Sequence, residues 1–376
     1  PAQAFVRGWS FAAGLLGVGT IWIHHSMSVF GGMSLPLALF LALLLASLMA
    51  IYYGLAGLVA ARLTADASLQ ARVFAFALAF VAMEWLRGWF LSGFPWLTIG
   101  FSQIDSPLSG YAPVGGVLLV SLLTALTAAL LVVLLKGERL QQIAAVALIA
   151  MTWTTGHLLV GWEWTHISGK ELRATLLQAN IPQDQKWLPE MLEPTLEYYT
   201  AETMKHLDSD LILWPESAIT ALKQRVDEPL LKPLAAKLAA SGSLLVTGIL
   251  TNPRDEIFYN HLLSLGAGEA LYDKRHLVPF GEYFPFGYLW KESFKGLATI
   301  GDDFTSGDAD KPLLQVGDYQ AGASICYEII FGEEIREALP QAHFLINMSN
   351  DAWFGKTVGP LQHFEMARMR ALENGR

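Results

Sequence analysis

Apolar residues fill the first part of the chain in five runs almost free of charge, at roughly 9–30, 35–61, 73–91, 114–135 and 143–162. A helix needs about 20 mostly apolar residues to cross a bilayer, and each run is long enough to be read as a membrane span. Beyond 165 the pattern changes. Short apolar runs with β-branched residues alternate with amphipathic stretches. Strands are predicted at 172–178, 211–214, 244–249, 259–265, 269–272, 320–325 and 343–348, the fourth and fifth pairing around Gly266 and Gly268. Helices are predicted at 189–207, 228–240, 333–338 and 360–373. Strands alternating with helices indicate a layered α/β domain. Two regions follow: 1–165, a helical membrane domain, and 166–376, a water-facing domain large enough for its own core.

Basic residues orient the spans. Arg7 precedes the first, Arg62 and Arg72 lie between the second and third, and Lys136 and Arg139 between the fourth and fifth. The other two loops carry no Lys or Arg. Cytoplasmic loops are rich in Lys and Arg, so the domain after the fifth span is expected outside the cytoplasm. His24 and His25, near the end of the first span, read as interfacial polar contacts rather than metal ligands. Glu84 and Arg87 lie three residues apart on one helical face of the third span and read as a mutual ion pair near the membrane surface. The loop that follows, 93–102, is rich in aromatic residues and glycine and suits a membrane interface.

Composition agrees with this division. Hydrophobic residues are 53% of the chain and charged residues 16%, against about 25% charged in typical soluble domains. The net charge is −9, and with no basic patch or phosphate-cradling glycine loop, nucleic acid is excluded as a partner. No metal cluster or nucleotide motif is present, so no cofactor is implied.

Candidate chemistry centres on Cys326, the one cysteine of the chain. No intramolecular disulfide can form, and an unpaired thiol in an oxidising compartment argues for retention by chemistry rather than packing. Cys326 ends the predicted strand 320–325. Glu216 ends the strand of Leu-Ile-Leu-Trp-Pro-Glu216, and Lys274 closes a short strand in Tyr272-Asp-Lys274. Layered α/β folds place ligand sites at such strand ends. The trio suits acyl transfer: a carboxylate to take the thiol proton, and an ammonium with a backbone N–H to hold the oxyanion.

Three segments, Trp214-Pro-Glu216, Tyr272-Asp-Lys-Arg-His-Leu-Val-Pro-Phe-Gly-Glu282 and Ile325-Cys-Tyr-Glu328, resemble those of the nitrilase superfamily, whose members use a Glu-Lys-Cys triad in an α-β-β-α sandwich. With the membrane half, essentially the whole chain resembles the apolipoprotein N-acyltransferase family within it. Gly93-Phe-Pro-Trp96, Gln178-Ala-Asn-Ile-Pro182, Ser349-Asn-Asp-Ala-Trp-Phe-Gly355 and the segment from Gln362 to Ala371 carry that resemblance. It implies Glu216 as general base, Cys326 as nucleophile and Lys274 as oxyanion stabiliser. Glu282 matches a glutamate that orients the lysine and substrate, Tyr327 and Glu328 match needed residues beside the nucleophile, and Trp187 matches a tryptophan on an arm over the site.

The implied reaction takes an acyl chain from a phospholipid, typically phosphatidylethanolamine, and passes it through a thioester to the amine of a diacylglyceryl-cysteine on an apolipoprotein. The implied place is a bacterial inner membrane, with the catalytic domain on the periplasmic side. Tyr283, Phe284, Phe286, Tyr288, Leu289 and Trp290 are expected to form an entrance loop dipping toward lipid. The chain departs from the family at its ends. It starts at Pro1 without two short spans and stops at Arg376 before further sandwich strands and a last span, so it is read as a fragment. A membrane-tethered amidase shares the triad but has no need of five spans. A transporter or scaffold gives no reason for the three residues together.

Overall fold

The computed structural model describes residues 1–166, 169–254, 257–285 and 304–376. The chain divides into two compact units. The first comprises Pro1–Ser28, Met33–His166 and Lys356–Gly375; the second comprises Val29–Gly32, Ile167–Gly355 and Arg376.

In the first unit the long helices are α1 (Ala2–Thr20), α3 (Leu35–Leu63), α4 (Leu69–Arg87), α5 (Ala112–Lys136) and α6 (Arg139–Val160), with a short α2 (Ile23–His25) after α1. Among the described residues, four helical segments are long and apolar enough to cross a membrane, or five if a bent pair counts as one span. That pair covers the run expected as the first span over 9–30: two helical pieces, Ala2–Thr20 and Ile23–Phe30, bent by 50°. Small residues let α1 and α3 approach: Ala12 and Leu16 pack on Ala46, Ala50 and Tyr53, as is usual where helices must associate within lipid.

Glu84 and Arg87 do not form the expected mutual pair. Both are buried, and each turns to the loop after α4. Glu84 Oε1 accepts the Ile99 N–H at 2.8 Å and the Tyr53 hydroxyl at 3.4 Å. Arg87 Nη1 donates to the carbonyls of Phe94 and Trp96, the latter at 2.7 Å. Loop backbone groups that a helix would have satisfied internally find side-chain partners instead.

A terminal helix, Gly359–Asn374, matches the predicted 360–373 but belongs to the first unit, where the sequence-based boundary had put it in the second. Its polar residues are consumed at breaks in the apolar helices. Gln362 Oε1 accepts both indole N–H groups of Trp22 (3.0 Å) and Trp96 (2.7 Å), and its Nε2 donates to the Gly19 carbonyl at 3.1 Å. Glu373 accepts the Val117 N–H at 2.6 Å, just after Gly116, whose φ of +67° interrupts α5 and suits glycine alone.

The second unit is layered. One sheet has the order β1-β2-β3-β4-β5, with β1 (Ala174–Leu176), β2 (Leu211–Leu213), β3 (Leu244–Arg254), β4 (Ile257–Leu265) and β5 (Ala270–Asp273). The first three strands run parallel and the last two antiparallel. A second sheet, β6 (Leu313–Val316), β7 (Tyr319–Ile325) and β8 (Phe344–Met348), has β7 and β8 parallel. One core lies between the sheets: Val246, Leu262 and Tyr272 pack against Leu314, Ala323, Ile325 and Ile346. On the outer face of the larger sheet, Ile212, Leu245 and Leu263 meet Tyr199 and Leu238 of the helices α7 (Pro189–Lys205) and α9 (Lys232–Ser241), with the short α8 (Lys223–Val226) between them in the chain. Helix, sheet and sheet thus stack as three layers of the expected α-β-β-α sandwich, and the short α10 (Gly332–Arg336) follows β7.

Candidate active site

Four chain segments leave the strand ends of the second unit and converge. Glu216 lies three residues past β2. Its turn is anchored by Trp214, fully buried, stacked on Tyr199 at 5.0 Å and donating from Nε1 to Thr203 at 3.0 Å. Beneath the turn, Gly248 of β3 allows backbone to meet backbone. A Cβ there would lie 2.4 Å from the Ser217 nitrogen. Ser217 itself has φ +50°, a strained conformation of the kind that gathers at functional sites. The Glu216 carboxylate accepts from Asn260 Nδ2 on β4 at 3.0 Å and from the Asn350 N–H after β8 at 2.9 Å.

Lys274 directly follows β5 and is 1% exposed. Its Nζ donates to Glu282 Oε1 at 2.7 Å and lies 3.9 Å from Glu216 Oε1. Glu282 is held in turn by the Val278 N–H at 2.8 Å. Burial alone would lower the Lys274 ammonium. The charges of Glu282 and Glu216, with Cys326, overcome it and hold the group above the usual lysine range, so it stays a cation.

Cys326 follows β7 with φ +50°, at the head of a short helical turn, Cys326–Ile330. It is half-buried. Burial pushes its thiol well up, and Glu216 and Asp351 push the same way, while Lys274 and a hydrogen bond with Ser349 act against them. The thiol is therefore neutral at ordinary pH. Glu216 and Lys274 lie near enough for both to act on it.

Glu328 ties the cysteine and lysine segments together. One carboxylate oxygen accepts the N–H groups of Arg275 (2.6 Å) and His276 (3.0 Å), next to Lys274. The other accepts the Ile325 N–H (2.6 Å), next to Cys326, and the Tyr272 hydroxyl (3.0 Å). Burial raises its carboxyl, and those N–H donors with Lys274 offset part of the rise. Tyr327 meets the rings of His276 and Phe331 at 5.8 and 5.2 Å. Trp187 is 45% exposed and lines a cavity of about 290 Å³ with Thr220, Ala221, Leu222, Arg225 and Leu250.

So Glu216, Lys274, Glu282, Cys326 and Glu328 meet at one place, whereas Tyr327 faces a ring cluster and Trp187 a separate cavity wall. Of the expected entrance loop, Phe286, Tyr288, Leu289 and Trp290 lie outside the described residues. Phe284 is described, its ring 5.9 Å from that of Phe280. Sequence reasoning missed Asn260, Asn350 and Lys186. Asn260 left a signal, an amide next to the apolar run of a strand that buries it. Chemically, the site pairs a neutral thiol with a carboxylate base and a fixed cation, the needs of acyl transfer through a thioester.

The family model of the apolipoprotein N-acyltransferase N-terminal domain matches residues 1–130, and that of carbon-nitrogen hydrolases matches residues 173–376. An apolipoprotein N-acyltransferase of Methylococcus capsulatus is 42% identical over 382 residues, covering 100% of this chain and 75% of that protein. The chain belongs to the apolipoprotein N-acyltransferase family. Another family member, of Pseudomonas syringae pv. tomato, is 40% identical over 388 residues, covering 100% of this chain and 76% of that protein. Among solved structures, a carbon-nitrogen hydrolase from Helicobacter pylori G27 is similar over 54% of this chain and 68% of that one, at 17% identity and a TM-score of 0.36. Like its apolipoprotein N-acyltransferase relatives, the chain is an acyltransferase of the nitrilase superfamily and a membrane protein. The resemblance read from its motifs is thereby borne out.

Proposed function

We propose that the protein moves an acyl chain from a phospholipid to the N-terminal amine of a diacylglyceryl-cysteine on apolipoproteins, with Cys326, Glu216 and Lys274 as its catalytic residues. The observation that carries this reading is the convergence of Glu216, Lys274 and Glu282 beside the one cysteine, in a chain whose relatives bear that enzyme name.

In the first half-reaction Cys326 Sγ attacks the ester carbonyl of the donor, and Glu216 takes the thiol proton as the S–C bond forms. A neutral thiol needs such a base at the moment of attack. Lys274 faces the developing oxyanion. The ester C–O bond then breaks, Glu216 returns the proton to the leaving glycerol oxygen, and a lysophospholipid departs. In the second, the acceptor amine attacks the thioester, Glu216 takes its proton, and the proton passes to the departing sulfur. An amide and the free thiol remain.

Glu282 holds Lys274 in place and Glu328 sets the backbone around Cys326, while Tyr327 packs among rings and Trp187 stands apart from the reacting groups. Phosphatidylethanolamine is the proposed donor. The proposed setting is the bacterial inner membrane with the site on its periplasmic side, because the basic loops fall on the other side of the spans. Both substrates hold their chains in the bilayer, which accounts for fusing the thiol domain to apolar helices.

The test supplies phosphatidylethanolamine vesicles and a diacylglyceryl lipopeptide to the purified protein and follows products by mass spectrometry. N-acylated peptide that requires Cys326 is expected. Ammonia release from small amides, with no acylated peptide, would replace the transferase reading by an amidase.

A further inference from the structure

Lys186 is used by no step above, yet it is only 6% exposed. Its Nζ donates to the main-chain carbonyl of Glu216 at 3.0 Å, the one hydrogen-bond partner of that ammonium among the described residues. Three residues earlier Gln183, also buried, accepts from Asn350 Nδ2 at 2.8 Å. The Asn350 N–H in turn holds the Glu216 carboxylate at 2.9 Å. The 183–187 stretch therefore grips Glu216 twice, on its carbonyl directly and on its carboxylate through Asn350. Burying a charge against a single carbonyl is costly, and an apolar side chain of the same length would fill the space without that cost.

We propose that Lys186 is a positioning residue, which fixes the main chain of Glu216 so that its carboxylate stays aimed at the reacting atoms in both half-reactions. The inference rests on Glu216 being the base proposed above. Burial lowers the Lys186 ammonium to about 8, with the Glu216 charge acting in the opposite sense. Around Glu216 stand Lys274 and Glu282 from the segment after β5, Cys326 from the end of β7, and Asn350 with Asp351 after β8.

The experiment measures two single-turnover rates on the full chain. One is Cys326 thioester formation from phosphatidylethanolamine vesicles; the other is aminolysis of the isolated thioester by a diacylglyceryl lipopeptide. Lys186→Met should slow both by about tenfold or more at saturating lipid, since one carboxylate serves both, and Lys186→Arg should restore most of each. The parent should lose part of its rate as pH rises through about 8, where the charge-assisted Lys186 bond becomes a weaker neutral one. Lys186→Arg should move that limb beyond about pH 10, because arginine keeps its charge.

Full rates in Lys186→Met overturn the proposal. So does slowing confined to the first step and relieved by more lipid, which would make Lys186 a lipid contact. If Lys186→Met does not fold, the arginine variant decides, and an unmoved limb overturns the proposal. A parent that forms no thioester overturns the proposed function and this inference together.

Discussion

Replacing Gly248 with alanine should remove most of the acylation activity while leaving the protein folded. The position is closed from above by the Glu216 turn. An added Cβ would sit 2.4 Å from the Ser217 nitrogen and 2.8 and 2.9 Å from Glu216 Cα and C, where ordinary contact begins at 3.4 Å. Neither side can yield by rotating a side chain, since both are backbone, so the turn must retreat by about 1 Å. The 3.0 Å bond from Asn260 to Glu216 would stretch past the range in which hydrogen bonds hold. The 3.9 Å approach of Lys274 would change by a similar amount. A misplacement of about 1 Å can cost about a hundredfold in rate, and overpacking costs about 1–3 kcal/mol of stability. The assay is the single-turnover rate of thioester formation on phosphatidylethanolamine vesicles, read beside thermal unfolding in detergent. A folded Gly248→Ala protein that acylates Cys326 within about threefold of the parent rate would refute the placement of Glu216 as the base.

Glu282→Ala leaves the buried Lys274 with the longer contact to Glu216 as its one ion pair among the described residues, and a loss of about 3 kcal/mol is expected in chemical denaturation. Lys274 is held above its ordinary range in the fold, so that contribution is complete below the unfolded lysine value and fades only as pH rises beyond it; the penalty should not vary between about pH 6 and 9. Burial and Glu216 raise the Cys326 thiol, so its alkylation by iodoacetamide should still be rising at about pH 9, where an ordinary cysteine is levelling off; a plateau below that contradicts a neutral resting thiol. In the first unit, Gln362→Ala strips partners from Trp22, Trp96 and Gly19. About 0.5–1.5 kcal/mol for each hydrogen bond lost should lower the unfolding temperature of that unit, and an unchanged transition would show that those bonds are replaced.

Much of this architecture was legible because its elements obey short periods. β2 is wholly apolar, the first half of β3 is nearly so, and β7 is a run of mostly small buried residues, as suits strands covered on both faces; the ends of β2 and β7 lead to Glu216 and Cys326. β6 escaped notice: Leu313–Val316 is only 4 residues long, and its one exposed position breaks the run. The break in the first apolar run was also hidden, since Ile21 and Trp22 are as apolar as their neighbours and only the backbone turns.

The terminal helix was found; the carbon-nitrogen hydrolase model covers it, and its contacts lie in the first unit. Gln362, Arg370 and Glu373 look in sequence like a solvated face, whereas in the fold Gln362 and Glu373 satisfy backbone and indole groups at breaks in the apolar helices and Arg370 pairs with Glu373 at 2.7 Å. Glu84 and Arg87 misled for a related reason. Their spacing invites a mutual pair, but orphaned loop carbonyls and N–H groups next to them compete for the same atoms. Lys186 had no signal of its own, because a lysine beside an exposed tryptophan reads as surface until the main chain of Glu216 closes over it.

The central claim is that Cys326 carries the acyl group. Intact mass spectrometry of the purified protein, after incubation with phosphatidylethanolamine and no acceptor, tests it most directly. The account predicts a mass increase of one fatty acyl chain, released by neutral hydroxylamine and absent from Cys326→Ala. An unchanged mass in a folded protein, or an adduct that persists in Cys326→Ala, would contradict it.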